Sequence, residues 1–145
     1  MTDWQATVTD AGWRLRRNGL AGGAIALLIL AVAPPTAGAH GFTGSLAWVL
    51  LLAFCLVPLA LSVHLLFDAV LFRITASHDE EAAGLAAIDD VLARMGLRAR
   101  VSVSATLRER LQGCRRLLWL QRIALLIAAA LYFVLLLDEI DGGGA

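Results

Sequence analysis

The sequence has few charged residues and only two cysteines, and each shortage excludes a class of protein. Charged side chains make up 17% of the 145 residues, below the share of about 25% in soluble domains. Hydrophobic residues reach 59%, above the usual share of about 45–50%. Cys55 lies in an apolar stretch and Cys114 in an arginine-rich segment, so the two are not expected to form a disulfide framework. Composition therefore favours a lipid-solvated protein over a soluble or disulfide-stabilised domain.

Signatures of catalysis are also missing. The chain contains no Gly-x-Ser-x-Gly, no His-Glu-x-x-His and no Cys-x-x-Cys motif. The glycine-rich stretch from Gly19 does not match a phosphate-binding loop, because no strand precedes it and no Lys-Ser/Thr follows. The formal net charge is zero, and the basic residues are those expected near a cytoplasmic membrane surface. We therefore expect neither an enzyme, nor a bound cofactor, nor a nucleic-acid partner.

Three apolar stretches dominate what is present. Residues 46–67 carry no charge and as a helix would span about 33 Å, enough for a hydrocarbon core of about 30 Å. Residues 117–137 are interrupted by Gln121 and Arg122, and the guanidinium of Arg122 can snorkel to an interface. Residues 19–33 are short and reach membrane length only if the two following prolines and the next few residues are included.

Charge placement predicts how these stretches are oriented. Arginines precede the first stretch and fill the segment between the second and third, whereas residues 34–45 contain no Lys or Arg. The end of the chain is acidic through Asp138, Glu139 and Asp141. Because cytoplasmic segments carry an excess of basic residues, the N-terminus should be inside and the C-terminus outside. The sequence predicts an all-α integral membrane protein with three transmembrane helices, N-in and C-out, in a bacterial inner membrane.

The predicted organisation follows the chain in seven segments. They are a cytoplasmic N-terminal segment (1–18), a first transmembrane helix (19–39), an extracytoplasmic loop (40–45), a second transmembrane helix (46–72), a cytoplasmic amphipathic helical region (73–116), a third transmembrane helix (117–137) and an extracytoplasmic acidic tail (138–145).

The first transmembrane segment also has the three parts of a cleavable signal peptide. Arg16-Arg17, an apolar run and Ala37-Gly38-Ala39 before His40 follow that pattern. A long leading segment with two aspartates favours retention of the segment as a span. Both alternatives place His40 outside and leave the later spans oriented in the same way.

The segment between the second and third spans is too short to bury a core of its own. Ser77-x-x-Glu80 resembles a capping box and should begin a helix that ends before Gly96. The apolar face of this helix could dock on the membrane surface, on the protruding spans or on a partner, and consists of Leu85, Ile88, Leu92 and Met95. Residues 98–104 alternate in a strand-like rhythm and are interpreted as an extended connector. Thr106-x-x-Glu109 predicts a second capping box, whose helix continues into the third span.

Small residues provide candidate faces for helix packing. Gly19-x-x-x-Gly23 in the first span and the pair Ala124 and Ala128 in the third would each allow a neighbouring helix to approach closely. Ahead of the first span, one helical face carries Trp4, Val8, Ala11 and Leu15, which could lie on the inner leaflet.

His64 and Asp68 are the best candidates for chemistry. Their i, i+4 spacing puts them on one helical face near the inner end of the second span. The simplest interpretation is a charged group at headgroup depth, with Asp68 paired to Arg122 and His64 satisfied at the interface. A second is proton or ion handling, since histidine titrates near neutral pH beside a carboxylate.

A third interpretation is cofactor ligation. The run His64-Leu65-Leu66-Phe67-Asp68 resembles the histidine-containing span of haem-binding membrane anchors such as the succinate dehydrogenase cytochrome subunit, which also has three spans. The resemblance covers five residues, without the arginine that precedes the histidine in that family or its serine-rich quinone motif. It would imply that His64 is an axial haem ligand.

The sequence as a whole predicts an accessory or structural membrane protein that acts by helix packing, within itself or with a larger complex. Its expected partners are the lipid bilayer and another membrane protein or a second copy of the chain. The alternative is a redox or proton-handling anchor subunit that uses His64, Asp68 and Arg122.

Overall fold

A computed structural model describes residues 3–37, 41–96 and 106–142, which form helices joined by short turns, with no strand among them. The helices are α1 (Asp3–Thr36), α2 (Gly41–Ala76), α3 (Glu81–Arg94) and α4 (Leu107–Gly142). Three of them, α1, α2 and α4, are long and apolar enough to cross a membrane. The predicted all-helical class and the three long apolar helices are therefore confirmed.

Each long helix extends beyond the apolar stretch that predicted it. Helix α1 begins at Asp3 and runs without a break into its apolar part, α2 begins at Gly41 rather than after a loop ending at residue 45, and α4 continues past Leu137. Helical hydrogen bonds are satisfied within the segment, so a helix can continue into polar surroundings wherever its side chains still pack. His40, the predicted connector 98–104 and the last three residues lie outside the described residues.

The long helices alternate in direction, which gives the bundle two chemically different ends. We call the end where α1 begins, α2 ends and α4 begins the arginine end; it carries Arg14, Arg16, Arg17, Arg73, Arg108, Arg110, Arg115 and Arg116. The opposite end carries Asp138 and Glu139 near the end of α4. Helix α2 is central, since it packs against all three other helices, and α3 lies on it at the arginine end.

Two apolar cores occupy the two halves of the bundle. The core at the arginine end is formed by Val8, Leu15, Leu65, Ala69, Phe72 and Cys114. The core at the opposite end is formed by Ala33, Ala37, Leu51, Cys55, Ala128 and Leu135. Val8 and Leu15, which we expected on a membrane-surface face, are thus buried against α2 and α4, and Trp4 packs at their edge. The first turns of α1 are part of the bundle because their apolar side packs against α2 and α4.

The two predicted capping boxes have different outcomes. At the start of α4 the Thr106 amide donates to Glu109 Oε2 at 2.9 Å and the Glu109 amide donates to Thr106 Oγ1 at 3.3 Å, so this box is confirmed. The box at Ser77 is wrong, because α3 has Glu80 at its N-cap with no side-chain hydrogen bond. Ser77 Oγ instead donates to the Ile74 carbonyl at 2.7 Å and closes the end of α2. A serine that follows a helix directly can satisfy the carbonyls behind it before it reaches amides ahead.

Candidate functional site: polar contacts between the helices

A layer of hydrogen-bonded polar groups separates the two apolar cores. Gln121 of α4 and Ser62 of α2 are both buried. Gln121 Nε2 donates to Ser62 Oγ at 2.8 Å and lies 3.5 Å from the Pro58 carbonyl oxygen. Ser62 Oγ in turn donates to that carbonyl at 2.7 Å. A buried amide must find partners in an apolar environment, and here two of its partners belong to another helix.

Helix α1 comes close to this layer because two of its residues there, Gly22 and Gly23, are glycines. A β-carbon at Gly22 would lie 2.6 Å from Cδ of Gln121, so the amide occupies space that only glycine leaves open. A β-carbon at Gly23 would lie 3.1 Å from Ser62 Oγ, a tight contact. We call Gly22, Pro58, Ser62 and Gln121 the glutamine layer, and it is the place where α1, α2 and α4 meet.

In the sequence, Gln121 stands out only as an interruption of the third apolar stretch. Its neighbour Arg122 carries the more conspicuous charge, yet Arg122 is exposed and Gln121 is buried. Consecutive helical positions differ by about 100° in direction, so a residue next to a buried one can point out of the bundle. The burial of Gln121 could have been predicted from its position, because it is a neutral amide on the side of α4 that also carries Ala124 and Ala128.

The predicted packing residues lie at contacts within the chain. Gly19 is buried against α2, where an added β-carbon would lie 3.4 Å from Cβ of Leu65. Gly23 lies one turn further along the same side of α1. Ala124 and Ala128 are buried on α4, and Ala128 belongs to the core at the opposite end. All four small residues are therefore covered by the protein's own helices and pack within the bundle.

Asp68 faces α4 near the arginine end, where its partner is a thiol. Cys114 Sγ donates to Asp68 Oδ2 at 3.4 Å. Both groups line a cavity of about 440 Å³, which Arg110 and Arg116 also line. The carboxylate is half-buried and accessible from this cavity.

The structure does not gather the three residues of the predicted polar cluster into one site. His64 shares a side of α2 with Asp68 but is exposed on the surface of the bundle. Arg122 is exposed and lies eight residues beyond Cys114, about 12 Å further along α4. On α4, Asp68 is hydrogen-bonded to Cys114 and is not paired with Arg122. Within the described ranges, no three His, Cys, Asp or Glu side chains are placed to hold a metal ion.

Helix α3 is held against α2 by a close backbone approach. A β-carbon at Gly84 would lie 2.9 Å from the Thr75 carbonyl oxygen and 3.2 Å from its α-carbon. Of the predicted docking face, Ile88 is buried, Leu85 and Leu92 are half-buried and Met95 is exposed. The contact is thus centred on Gly84 and Ile88, and of these two residues only Ile88 belongs to the predicted face. Gly84 was missed because a residue without a side chain adds nothing to an apolar pattern.

An ion pair joins α3 to α4. Arg110 of α4 donates to Asp89 Oδ1 at 2.6 Å, with the two side chains 15% and 25% exposed. Partial burial strengthens such a charge-assisted contact relative to a fully exposed pair. The hydrogen bond from Gln5 Nε2 to the His78 carbonyl, at 3.0 Å, holds the segment between α2 and α3 to α1.

We expect the pair of Arg110 and Asp89 to show measurable coupling. In a double-mutant cycle of Arg110→Gln and Asp89→Asn, the interaction should contribute about 1 kcal/mol to the free energy of unfolding, measured in mixed detergent micelles. The exposed pair of Arg94 and Asp90, 2.6 Å apart within α3, is the matched control and should give less than about 0.5 kcal/mol. Equal coupling in the two cycles would contradict the anchoring role of Arg110.

These contacts define a class of protein rather than an activity. The chain is a helical protein whose three long apolar helices share a buried polar layer, with a short fourth helix fixed at one end. Comparison with protein-family models, with curated proteins and with solved structures finds no match.

Proposed function

We propose that this chain is a multi-pass protein of a bacterial inner membrane with an accessory or structural role, and that it acts through helix packing. The observation that carries the proposal is the contrast between the inside and the outside of the bundle. Inside, small residues and the glutamine layer join the three long helices. Outside, large apolar side chains are exposed along their lengths, among them Val63, Leu126 and Phe133.

The exposed surface supports lipid and helical partners. Only 17% to 22% of the residues in the most apolar part of each long helix are buried. An apolar surface of this extent is stable only where lipid tails or other apolar helices cover it. We therefore propose the lipid bilayer as the surroundings, and a second copy or a larger membrane complex as the partner of the helices.

The charges at the two ends support one orientation. Arginines from α1, α2 and α4 lie at the arginine end, and Asp138 and Glu139 lie at the opposite end. The excess of arginine on the cytoplasmic side of membrane proteins favours a cytoplasmic arginine end, together with α3. Trp13 and Trp119, both exposed at this end, suit the polar and apolar character of a membrane interface.

A redox or proton-handling role has weaker support. It would require His64, Asp68 and Arg122 to act together, whereas His64 and Arg122 are exposed and Asp68 faces Cys114. A haem bound through His64 would have to lie on the outer surface of the bundle, where a partner would supply the rest of the pocket.

Purification in a mild detergent tests the proposed role against this alternative. The wild type and His64→Leu should both stay in the membrane fraction under alkaline carbonate and elute without a Soret band or bound quinone. Both should elute above the size of a monomer in its micelle. A Soret band or quinone that His64→Leu abolishes would overturn the accessory role in favour of the alternative. Elution as a lone monomer would contradict the packing role.

A further inference from the structure

A groove between α1 and α2 at the arginine end combines an apolar lining with two arginines. Its volume is about 520 Å³, within the range of pockets that hold small organic ligands. Trp13, Leu66 and Val70 contribute apolar surface, and Arg16 and Arg73 line the groove from the two helices. Among the residues that the structure describes, no acidic side chain lines the groove.

The two guanidinium groups are available to a ligand. Neither Arg16 nor Arg73 forms an ion pair or a hydrogen bond with the residues that the structure describes, and both are exposed. Arg14, by contrast, pairs with Asp10 at 2.8 Å, and Arg17 lies over the ring of Trp13 at 4.7 Å. The sequence thus leaves two positive charges unneutralised at the same groove.

The register of the helices places these charges at two depths. Gly12 lies against Ala69 and Phe72, whereas Gly19 lies against Ser62 and Leu65. Arg16 is therefore close to the level of Leu66, and Arg73 lies nearer the start of α1, about 10 Å away along the bundle. Arginine side chains near a membrane interface extend towards the headgroups, so both can reach one polar layer while their stems cover apolar surface.

We propose that this groove binds an anionic phospholipid of the cytoplasmic leaflet, with its phosphate between Arg16 and Arg73 and acyl-chain carbons against Leu66 and Val70. The inference rests on the proposed membrane location with the arginine end inside. Charge complementarity selects the lipid class, because two cations without a carboxylate favour a net negative headgroup over a zwitterionic one. The apolar lining selects a lipid over a free anion, since a soluble phosphate would leave that surface uncovered.

Native mass spectrometry of the full chain tests this proposal. The purified protein is incubated with equal amounts of phosphatidylglycerol and phosphatidylcholine that carry the same acyl chains. Each arginine near an anionic headgroup contributes a factor of about five in binding, so the wild type should retain phosphatidylglycerol with a preference of between about fivefold and thirtyfold. Arg16→Gln with Arg73→Gln should reduce the ratio to about one, and Arg16→Lys with Arg73→Lys should keep most of it.

The matched control is Arg108→Gln with Arg115→Gln, which removes the same charge from exposed positions that form no ion pair with the described residues and do not line the groove. It should keep the wild-type preference. An equal loss in this control, or no loss in the Arg16 and Arg73 variant, would overturn the assigned site. Displacement of the lipid by millimolar inorganic phosphate would contradict a site built for a lipid. Resistance to alkaline carbonate is measured in parallel, so a chain that stays in the membrane without lipid preference refutes this inference alone.

Discussion

Replacement of Gly84 by alanine is expected to detach α3 from α2. The new methyl group would lie 2.9 Å from the Thr75 carbonyl oxygen and 3.2 Å from its α-carbon, and these backbone atoms cannot move aside as the end of a flexible side chain can. Such overpacking costs about 1–3 kcal/mol. An isolated helix of 14 residues is marginal in water, so α3 depends on this contact.

Hydrogen exchange measures this effect directly. In the wild type the amides of residues 84–94, which have acceptors within the helix, should be protected, and Gly84→Ala should lower their protection by roughly tenfold to a hundredfold. Gly113→Ala is the control, because a β-carbon there has no neighbour within 4 Å. The control should leave α3 protected and stabilise α4 by up to about 1 kcal/mol, since alanine favours helix over glycine. Unchanged protection in Gly84→Ala would show that α3 does not depend on this contact.

The second large effect is expected at the glutamine layer, where Gly22→Leu should disrupt the meeting of the three long helices. The leucine would occupy the space of the Gln121 amide and break its hydrogen bond to Ser62. Overpacking of about 1–3 kcal/mol, together with the loss of an interhelical hydrogen bond of about 1 kcal/mol, gives an expected loss of about 2–4 kcal/mol. Unfolding in mixed detergent micelles measures this loss.

Two variants separate this mechanism from a general effect of bulk. Ala21→Leu adds a similar volume at an exposed position on the same helix and should change the stability by less than about 0.5 kcal/mol. Gln121→Ala vacates the space that the leucine needs, so in the Gly22→Leu background it should recover at least about 1 kcal/mol. Additive losses in the double variant would mean that Gly22 and Gln121 do not share one space.

Features that depend on a few neighbouring residues could be predicted from the sequence. The apolar stretches predicted three long helices, and Thr106 with Glu109 predicted the first turn of α4. Gly96 adopts a φ of 69° just after α3, as expected for a glycine that ends a helix. Each of these depends on short-range geometry, which the order of residues determines almost alone.

Features that depend on the position of one helix relative to another, along its axis and around it, could not be predicted. Asp68 meets Cys114 rather than Arg122, although Arg122 was the more obvious partner for a carboxylate. Arg122 lies about 12 Å further along α4 than Cys114, so α4 would have to shift along its axis to bring Arg122 to Asp68. The glutamine layer fits this position of α4, because the missing side chain of Gly22 leaves space for Gln121. Because glycine contributes neither a polar nor an apolar side chain to the sequence pattern, the contact between Gly22 and Gln121 could not be predicted.

The orientation of the bundle in a membrane is the claim on which the proposed role and lipid site both depend. Fusions of a cytosolic fluorescent reporter and of a periplasmic phosphatase after Gly96 and after Ala145 measure it most directly. The proposed orientation predicts fluorescence and no phosphatase activity after Gly96, and phosphatase activity without fluorescence after Ala145. Phosphatase activity after Gly96, or fluorescence after Ala145, would contradict it.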